Sequence, residues 1–446
     1  MDKLVIQGGR PLEGTVLVCG SKNAVLPVMA AALLTDEPLR IRNAPRLADV
    51  DTMMDVLRNI ECRAERSADG SIEVRAPAKP RARADWEHVR KMRGSVTVLG
   101  PLLARAGRAE VSLPGGCVIG VRPIDVHLKG LEALGARVRI ERGYVVAEAP
   151  RGGLRGARVY LGTSFGSSVT GTENVMMAAV LAKGRTVIDN AACEPEVVDL
   201  GECLQAMGAR IRGLGSPRIE VEGPCHLSGV EWSVIPDRIE AGTYVIAGAM
   251  CGGRVRVEGA RPDHLSALLD RMQTARIPFA CGDDWIETLP WHPRDPVHRP
   301  SSTDVTTLPY PGFPTDLQAQ WMAMMTLADG ISVITESIYP DRYMHIAELA
   351  RLGAQVRRQG TSAVVQGTPK LSGAPVTASD LRASAALVLG ALVAEGTTEI
   401  HRVYHIDRGY ERIEERLVAL GAEIRREDDR EDVAEFATPR GAMAGG

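Results

Sequence analysis

The chain of 446 residues repeats one short pattern six times, and this repeat constrains its fold more than any other feature. Four clear copies end a helical stretch and open a strand: LEALGARVRI from Leu131, LQAMGARIRG from Leu204, LARLGAQVRR from Leu349 and LVALGAEIRR from Leu417. Two degenerate copies, LRNIECRAER from Leu57 and MQTARIPFAC from Met272, fall in the gaps. Copies therefore start about 70 residues apart, and each marks one structural unit.

A second landmark has the same period. An Ala/Leu-rich helical stretch is followed by a glycine, or by Pro38 in the first copy, and then by a short β-branched run. Its copies are AALLTDEPLRIR from Ala31, LLARAGRAEVSL from Leu102, AVLAKGRTVIDN from Ala179, AGAMCGGRVRVE from Ala247, MTLADGISVITE from Met325 and ALVAEGTTEIHR from Ala391. Glycine adopts the left-handed conformation easily, so we expect it to cap each helix at its C-terminus. Each unit is then an α/β module.

Six α/β modules divide naturally into two domains of three. Solenoid repeats run shorter, at about 20–47 residues, which argues against an α/β solenoid used as a binding scaffold. We predict a first domain at 21–233 and a second formed by 1–20 plus 234–426, with the junction near 230–236 and its counterpart near Gly20. The charged and then small-residue-rich tail, 427–446, is predicted to be disordered.

Composition excludes several classes of function. A net charge of -3 and a pI near 6.3 provide no global positive field, so we expect neither nucleic acid nor a membrane as partner. No stretch has the length and hydropathy of a signal peptide or membrane helix, and we expect a soluble, cytoplasmic protein. The eight cysteines form no CxxC pair, which argues against a disulfide framework and a cysteine-rich zinc site.

Polar, Gly-rich segments interrupt the modules and carry the candidate functional residues. Five arginines lie in such segments, at predicted turns or helix starts: Arg93, Arg122, Arg342, Arg382 and Arg408. Each guanidinium could bind a carboxylate or phosphate through two donors, although a single arginine in an Arg-rich chain is most often a solvated surface charge. Five together indicate a polyanionic substrate.

Three further residues have both a functional and a structural interpretation. Lys22 precedes an apolar helical run, where it could bind an anion or merely solubilise the helix end. Cys117, in the loop LPGGCVIG beside Arg122, could be a reactive thiol or a small buried apolar residue. Asp316, in FPTDLQAQ, could act as a general base or only as the N-cap of the following helix.

The motifs SKNA, LPGGC.IG.RP.D.H, FPTD.QAQ, DLRASA and HIDRGYERIE resemble those of the enolpyruvyl transferase family, in its amino-sugar branch. The resemblance extends from Met1 to about Arg426. It implies two similar domains, each an inverse α/β barrel of three units, with the chain crossing twice and the active site in the cleft. It also implies transfer of the carboxyvinyl group of phosphoenolpyruvate to the 3-hydroxyl of UDP-N-acetylglucosamine, the first committed step of peptidoglycan synthesis. Cell wall biogenesis, cell shape and cell division would depend on that step.

The resemblance also implies roles for individual residues. Lys22 and Asn23 would bind phosphoenolpyruvate, and Arg122 and Arg408 would hold its phosphate and carboxylate. Arg93, Arg342 and Arg382 would complete the positive cleft. The sugar nucleotide would contact Arg122, Pro123, Ile124, Asp125, Val126, Ser168, Val169, Thr170, Gly171, Asp316 and Ile338.

The implied mechanism is addition followed by elimination. Asp316 would take the proton of the 3-hydroxyl, whose oxygen attacks C2 of phosphoenolpyruvate, while Cys117 protonates C3. Loss of phosphate would then restore the double bond, with no metal or organic cofactor. Cys117 would also be the target of the epoxide fosfomycin.

Two positions depart from the family pattern. The segment LGTSFGSSVTGTEN is a few residues longer than usual and lacks the lysine often found before its Ser-Val pair, so we expect its contacts with the diphosphate to differ. Ser21 replaces a more frequent alanine.

The alternative functions are an enolpyruvyl transferase with another acceptor, such as a nucleoside monophosphate or shikimate 3-phosphate, and a silent paralogue that binds UDP-sugar. Cys117 and the RPID segment disfavour shikimate 3-phosphate.

Overall fold

The computed structural model describes residues 2–114, 124–292 and 299–428. Within these ranges the chain forms thirteen α-helices: α1 (Lys22–Ala31), α2 (Ala48–Asn59), α3 (Trp86–Val89), α4 (Leu99–Ala106), α5 (Asp125–Ala133), α6 (Val169–Leu181), α7 (Pro195–Met207), α8 (Arg238–Cys251), α9 (Ser266–Thr274), α10 (Gln318–Met325), α11 (His345–Arg351), α12 (Leu381–Val393) and α13 (Ile413–Ala419). Short 3₁₀ helices cover Ala32–Leu34, Arg93–Val98, Pro262–Leu265, Thr315–Leu317 and Val403–Arg408.

The same ranges contain 26 strands: β1 (Asp2–Gln7), β2 (Gly14–Leu17), β3 (Leu39–Arg42), β4 (Arg63–Arg66), β5 (Ile72–Arg75), β6 (Arg83–Ala84), β7 (Arg108–Ser112), β8 (Arg137–Glu141), β9 (Tyr144–Glu148), β10 (Arg158–Tyr160), β11 (Gly162–Thr163), β12 (Gly166–Ser167), β13 (Gly184–Asp189), β14 (Arg210–Arg212), β15 (Arg218–Gly223), β16 (Glu231–Ser233), β17 (Val255–Glu258), β18 (Phe279–Cys281), β19 (Trp285–Thr288), β20 (Val305–Thr306), β21 (Ile331–Thr335), β22 (Gln355–Gln359), β23 (Ser362–Gln366), β24 (Pro375–Thr377), β25 (Thr397–His401) and β26 (Glu423–Asp428). The predicted α/β class is confirmed.

Six four-stranded sheets share one pattern of strand pairing. Their orders are β16-β3-β5-β4, β6-β7-β9-β8, β10-β13-β15-β14, β2-β17-β19-β18, β20-β21-β23-β22 and β24-β25-β1-β26. In each, the first pair is parallel and the other two pairs are antiparallel. The second landmark of the sequence always leads into the second strand of this order. The first pattern always leads into the fourth.

The glycine of the second landmark was expected to cap each helix, and this expectation is wrong for three copies. Gly107 and Gly252 are left-handed C-caps of α4 and α8. Gly184, Gly330 and Gly396 also have positive φ, but they lie beyond the helix end. Gly184 is the first residue of β13, and Gly330 and Gly396 directly precede β21 and β25. There the glycine permits the turn into the sheet rather than the end of the helix.

Buried apolar side chains form two separate clusters. The first core runs from Ala24 to Val234 and the second joins Leu4–Val18 to Ile239–Ile424. The N-terminal strands belong to the second core because β1 is the third strand of the last sheet and β2 is an edge strand beside β17. Packing of the helices buries their apolar faces against these sheets, which supplies most of the stability of such layers.

The chain crosses between the cores twice, side by side. Gly20 pairs with Pro236 in an antiparallel bridge, the amide of Ser21 donates to the carbonyl of Ile235 over 2.7 Å, and that of Asp237 donates to the carbonyl of Cys19 over 2.8 Å. These bonds hold the start of α1 beside the start of α8.

The predicted tail begins two residues too early. Glu427 and Asp428 belong to β26 and pair with Lys3 and Asp2 of β1. The remaining tail, 429–446, lies outside the described residues. Among the described helices, none combines the length and apolar character that a membrane span requires.

Candidate active site

A carboxylate from the first core lies between two cations. The Oδ2 of Asp49 in α2 is 2.8 Å from the Nζ of Lys22, and its Oδ1 is 2.9 Å from the Nε of Arg408. Asp49 is only 3% exposed. Burial raises its pKa, but the charges of Lys22 and Arg408 outweigh burial and lower the pKa below its usual value. We call these three residues the Asp49 cluster.

Lys22 is the first residue of α1, as the sequence indicated, and Ser21 caps that helix through the amide of Ala24. The amide of Lys22 donates to the Oδ2 of Asp237 over 3.0 Å. The other oxygen of Asp237 accepts from the amides of Ile239 and Glu240 at the start of α8. One carboxylate therefore joins the N-termini of two helices from different cores.

A second ionised carboxylate lies between two arginines of the second core. The Oδ1 of Asp316 accepts from Arg342 over 2.7 Å, and its Oδ2 accepts from Arg382 over 2.9 Å. Burial raises the pKa of Asp316, yet the charges of Arg382 and Arg342 hold it well below its usual range. The arginine side chains are almost fully buried, whereas that of Asp316 is 24% exposed. We call these residues the Asp316 cluster.

The expectation that Asp316 could be an N-cap is wrong. Asp316 lies inside the 3₁₀ helix Thr315–Leu317, whose N-cap residue is Pro314, and α10 begins only at Gln318. The carboxylate makes no capping bond because both of its oxygens are bound to arginines. Of the two interpretations offered by the sequence, the structural one is thereby excluded.

A buried glutamate organises the loop that carries Ile338. The Oε1 of Glu336 accepts from the amides of Ile338 and Tyr339, each over 2.9 Å, and its Oε2 accepts from the hydroxyl of Thr315. Because Thr315 precedes Asp316, the loop and the Asp316 cluster are held as one unit. Glu336 was not predicted as a site residue from the sequence.

The two clusters approach each other through Asp237. Burial lowers the pKa of Arg382, but Asp316 and also Asp237 raise it above its usual value. Since Asp237 binds the amide of Lys22, it lies between the two clusters. Asp237 thus connects the start of α1 at Lys22 with the surroundings of Arg382, which is 360 positions away in the sequence.

Two segments predicted to contact the nucleotide lie side by side. His127, in the first turn of α5 after Ile124, Asp125 and Val126, is 3.2 Å from the hydroxyl of Thr170. Residues Ser168 to Gly171, with Val169 and Thr170 between them, form the N-terminus of α6, where Ser168 is the N-cap. Free amides at such a terminus favour a bound anion.

Arg93 lies close to this pair of segments. Burial and, to a smaller extent, the nearby charge of Arg93 together lower the pKa of His127 to about 3. Arg93 begins the 3₁₀ helix Arg93–Val98, and Asn23 is the second residue of α1. Cys117, Arg122 and Pro123 lie outside the described residues.

The segment that departs from the family pattern forms a small hairpin. Strands β11 and β12 pair through Gly162–Ser167 and Thr163–Gly166, with Phe165 exposed at the tip. A Cβ on Gly166 would lie 2.6 Å from Pro309, so the hairpin contacts the second core closely.

Further contacts join the cores beside the clusters. The buried Arg238 donates to Glu196 over 3.0 Å, and the amide of Tyr310 donates to Glu194 over 3.4 Å. The amide of Arg46 donates to Glu411 over 2.9 Å. The described structure is consequently one in which the two cores are in contact around the clusters.

Comparison with known proteins shows the family of the chain. The profile of the family described as EPSP synthase (3-phosphoshikimate 1-carboxyvinyltransferase) matches residues 6–417. A UDP-N-acetylglucosamine 1-carboxyvinyltransferase from Anaeromyxobacter sp. (strain Fw109-5) is 54% identical over 429 residues, covering 96% of this chain and 100% of the relative. One from Anaeromyxobacter dehalogenans (strain 2CP-1 / ATCC BAA-258) is 54% identical over 428 residues, with 96% and 99% covered.

Solved structures give the same result for the fold. The crystal structure of the enolpyruvyl transferase NikO from Streptomyces tendae superimposes with a TM-score of 0.85 at 26% identity, covering 96% of this chain and 99% of that one. An EPSP synthase from Acinetobacter baumannii gives 0.72 at 16% identity, with 96% and 100% covered. The second likeness concerns the fold alone.

Proposed function

The chain belongs to the EPSP synthase family of carboxyvinyltransferases, and from this premise we propose that it transfers the carboxyvinyl group of phosphoenolpyruvate to the 3-hydroxyl of UDP-N-acetylglucosamine and releases phosphate. The names of its 54% identical relatives support this acceptor. Such a product serves peptidoglycan synthesis, as the sequence motifs also imply.

The observation that carries the proposal is the Asp316 cluster. Transfer to a hydroxyl needs a base that removes its proton, and the anionic donor needs fixed cations. Asp316 is ionised, partly exposed and held by two buried arginines, while the Asp49 cluster supplies Lys22 and Arg408. The two clusters together provide a base and a positively charged cleft.

The ion pairs of Asp316 also bear on how it could act as a base. A carboxylate bound to two arginines accepts a proton poorly because its pKa is far below neutral. Anionic substrates would compete for Arg342 and Arg382 and so raise the pKa of Asp316 as they bind. We infer that Asp316 becomes an effective base only when substrates occupy the cleft. Its protonation is then coupled to the reaction.

The residues outside the described ranges take their roles from the family motifs. Cys117 would protonate C3 of phosphoenolpyruvate, and Arg122 would hold its anionic groups. Pro123 would continue the nucleotide-binding segment into Ile124, Asp125 and Val126. The neighbouring terminus of α6, from Ser168 to Gly171, and the loop at Ile338 support a path for the diphosphate and sugar between them.

We also propose that the two cores are two domains, 21–233 and 1–20 plus 234–426, each an inverse barrel of three units. Six sheets of one pairing pattern and two separate apolar clusters support this division. The substrates would bind in the cleft between them, and closure would exclude water.

Initial rates of phosphate release test the proposal. The enzyme is incubated with phosphoenolpyruvate and either UDP-N-acetylglucosamine, shikimate 3-phosphate or a nucleoside monophosphate. We expect release with the UDP-sugar alone, because the segment from Arg122 to Val126 matches the uridine-binding branch. Equal or faster release with another acceptor would reassign the enzyme, and no release with any would favour a silent UDP-sugar-binding paralogue.

A further inference from the structure

Behind the Asp316 cluster, a row of hydroxyl groups continues into the second core. The hydroxyl of Tyr410 is 3.3 Å from the Nη1 of Arg382 and 2.9 Å from the Oγ1 of Thr243. Thr243 in turn donates to the carbonyl of Ile239 in α8 over 2.8 Å. Tyr410, Thr243 and Arg382 are at most 3% exposed, so water does not compete for these bonds.

The direction of each bond follows from the donors available. Thr243 uses its single proton for the carbonyl of Ile239, so its oxygen must accept from Tyr410. Tyr410 then accepts from Arg382, which cannot itself accept. The sequence of donors runs from Arg382 to Tyr410 to Thr243 to a helix carbonyl.

A glutamine ties the same network to the backbone of the base. The Nε2 of Gln320 lies 2.9 Å from the carbonyl of Asp316 and 3.2 Å from the Oγ1 of Thr243. Gly409 lets Tyr410 reach α12, because a Cβ there would lie 2.6 Å from the side chain of Leu381. Side chains from four separate parts of the chain therefore form one buried network beside Asp316, namely Thr243 in α8, Gln320 in α10, Arg382 in α12 and Tyr410.

We infer that Tyr410 is a positioning residue, which acts through Arg382 to hold the carboxylate of Asp316 in one orientation toward the cleft. This inference rests on the proposed function, in which Asp316 is the base. Tyr410 does not contact Asp316 directly. Arg382 lies between the two side chains and donates to both of them.

Removal of the hydroxyl has a defined consequence. In Tyr410→Phe, Arg382 loses one acceptor and leaves Asp316 more often, so that the charges acting on the carboxylate are Arg342 and, more distantly, Arg238. Weaker attraction to the arginines raises the pKa of Asp316. As pH falls, the carboxylate is therefore protonated, and no longer able to act as a base, at a higher pH than in the wild type. The acidic limb of the pH profile of kcat/KM must move upward.

Tyr244→Phe is the matched control. Tyr244 is also fully buried and close to Tyr410, but its hydroxyl has no hydrogen-bond partner among the described residues. Both variants remove one buried hydroxyl from one region of the second core. Only the first breaks the row that leads to Arg382.

The experiment compares kcat, KM and the acidic limb for wild type and both variants, using phosphoenolpyruvate and UDP-N-acetylglucosamine. For Tyr410→Phe we expect kcat to fall about ten-fold, as for loss of one hydrogen bond to a charged group, because the loss of a fixed carboxylate orientation outweighs the gain in basicity of Asp316. We expect KM to change little and the acidic limb to shift upward. Tyr244→Phe keeps the wild-type limb. Identical profiles for the two variants would overturn the inference.

A second pair covers the case in which Tyr410→Phe does not fold. Thr243→Val keeps the shape and removes the hydroxyl that accepts from Tyr410, whereas Thr243→Ser restores it. The inference requires the valine variant to lower kcat and raise the acidic limb, and the serine variant to recover both. Failure of the wild type to turn over would instead contradict the proposed function, so the two failures are distinguishable.

Discussion

Asp49 forms ion pairs with two cations that come from opposite ends of the sequence, Lys22 and Arg408. Its local sequence, LADVDTMMD, gives no sign of this, because acidic residues in the first turn of a helix ordinarily stabilise the helix dipole. Lys22 and Arg408 were predictable from their motifs. Asp49 was not, since only the folded chain brings a buried carboxylate between them.

At this scale the first prediction concerns Asp316→Asn. We expect turnover to fall by about 10²–10⁴-fold, because the amide cannot take the proton of the acceptor hydroxyl. The buried Arg342 and Arg382 would also lose their counter-charge, at a cost on the order of 3 kcal/mol in unfolding free energy. Steady-state kinetics and urea denaturation measure the two effects. Near-native turnover would show that Asp316 is not the base.

Asp316→Asn should also change how the stability of the fold depends on pH. The folded-state pKa of Asp316 is lowered, so its ionisation stabilises the fold above the unfolded value of about 4 and this stabilisation disappears as pH falls through the folded value. Asp316→Asn should therefore lose less stability than the wild type on acidification. Parallel acid-denaturation curves would contradict the assignment of this low pKa.

Cys117 offers a prediction that depends on the family motif. In the role of general acid that the motif implies, Cys117 would be partly thiolate and nucleophilic, so fosfomycin should alkylate it in the presence of UDP-N-acetylglucosamine. Cys117→Asp should still turn over, because a carboxylic acid can supply the proton, and should resist the epoxide. Mass spectrometry of the treated protein checks this. An unmodified Cys117 in an active enzyme would refute the role.

The six helix-to-strand turns show what a repeat can predict at the scale of elements. In four copies a glycine with positive φ follows the helix, namely Gly135, Gly208, Gly353 and Gly421. In the two degenerate copies Glu61 and Arg276 occupy the equivalent position, with φ of 70° and 60°. The backbone turn is therefore kept where the glycine is lost. For the glycines of the second landmark, the C-cap prediction was wrong in three copies because sequence alone does not determine the last helical residue.

Glu61→Gly tests this backbone strain. A non-glycine residue in the left-handed region costs about 1–2 kcal/mol, partly offset by the greater entropy of glycine in the unfolded chain. We expect the free energy of unfolding to rise by up to about 1 kcal/mol. The converse variant Gly353→Ala meets no atoms within 4 Å but has a φ of 91°, so it should lower stability. Equal stability of both variants and wild type would contradict the argument.

Contacts between the two cores determine the arrangement of the whole molecule, and most of them were not predictable. The motifs indicated where the chain crosses near Gly20 and residue 236, but not the pair of Arg238 with Glu196 or the double cap by Asp237. These interactions depend on distances across the cleft. The sequence repeat predicts the fold of each unit, whereas the arrangement of the two cores depends on individual polar pairs between them.

Arg238→Met tests the joint between the cores. The substitution leaves the buried carboxylates of Glu196 and Glu194 without their cation, which costs about 3–5 kcal/mol at neutral pH. Burial already raises the pKa of Glu194, and loss of Arg238 raises it further, so the Glu194 carboxyl would be protonated more readily. The destabilisation should thus be larger at pH 8 than at pH 5. The exposed pair Arg185 and Glu220 gives the control, Arg185→Met, with little effect at either pH. A pH-independent loss would contradict the role of the pair.

Analysis of the reaction product shows whether the enzyme transfers the carboxyvinyl group of phosphoenolpyruvate to a UDP-sugar. Wild-type enzyme is incubated with phosphoenolpyruvate and UDP-N-acetylglucosamine, and the sugar nucleotide is examined by mass spectrometry and NMR. We predict a product in which a carboxyvinyl group replaces the hydrogen of the 3-hydroxyl, formed in equal amount with phosphate and formed about 10²–10⁴-fold more slowly by Asp316→Asn. An unchanged sugar nucleotide, or a carboxyvinyl group formed only on a different acceptor, would contradict the claim.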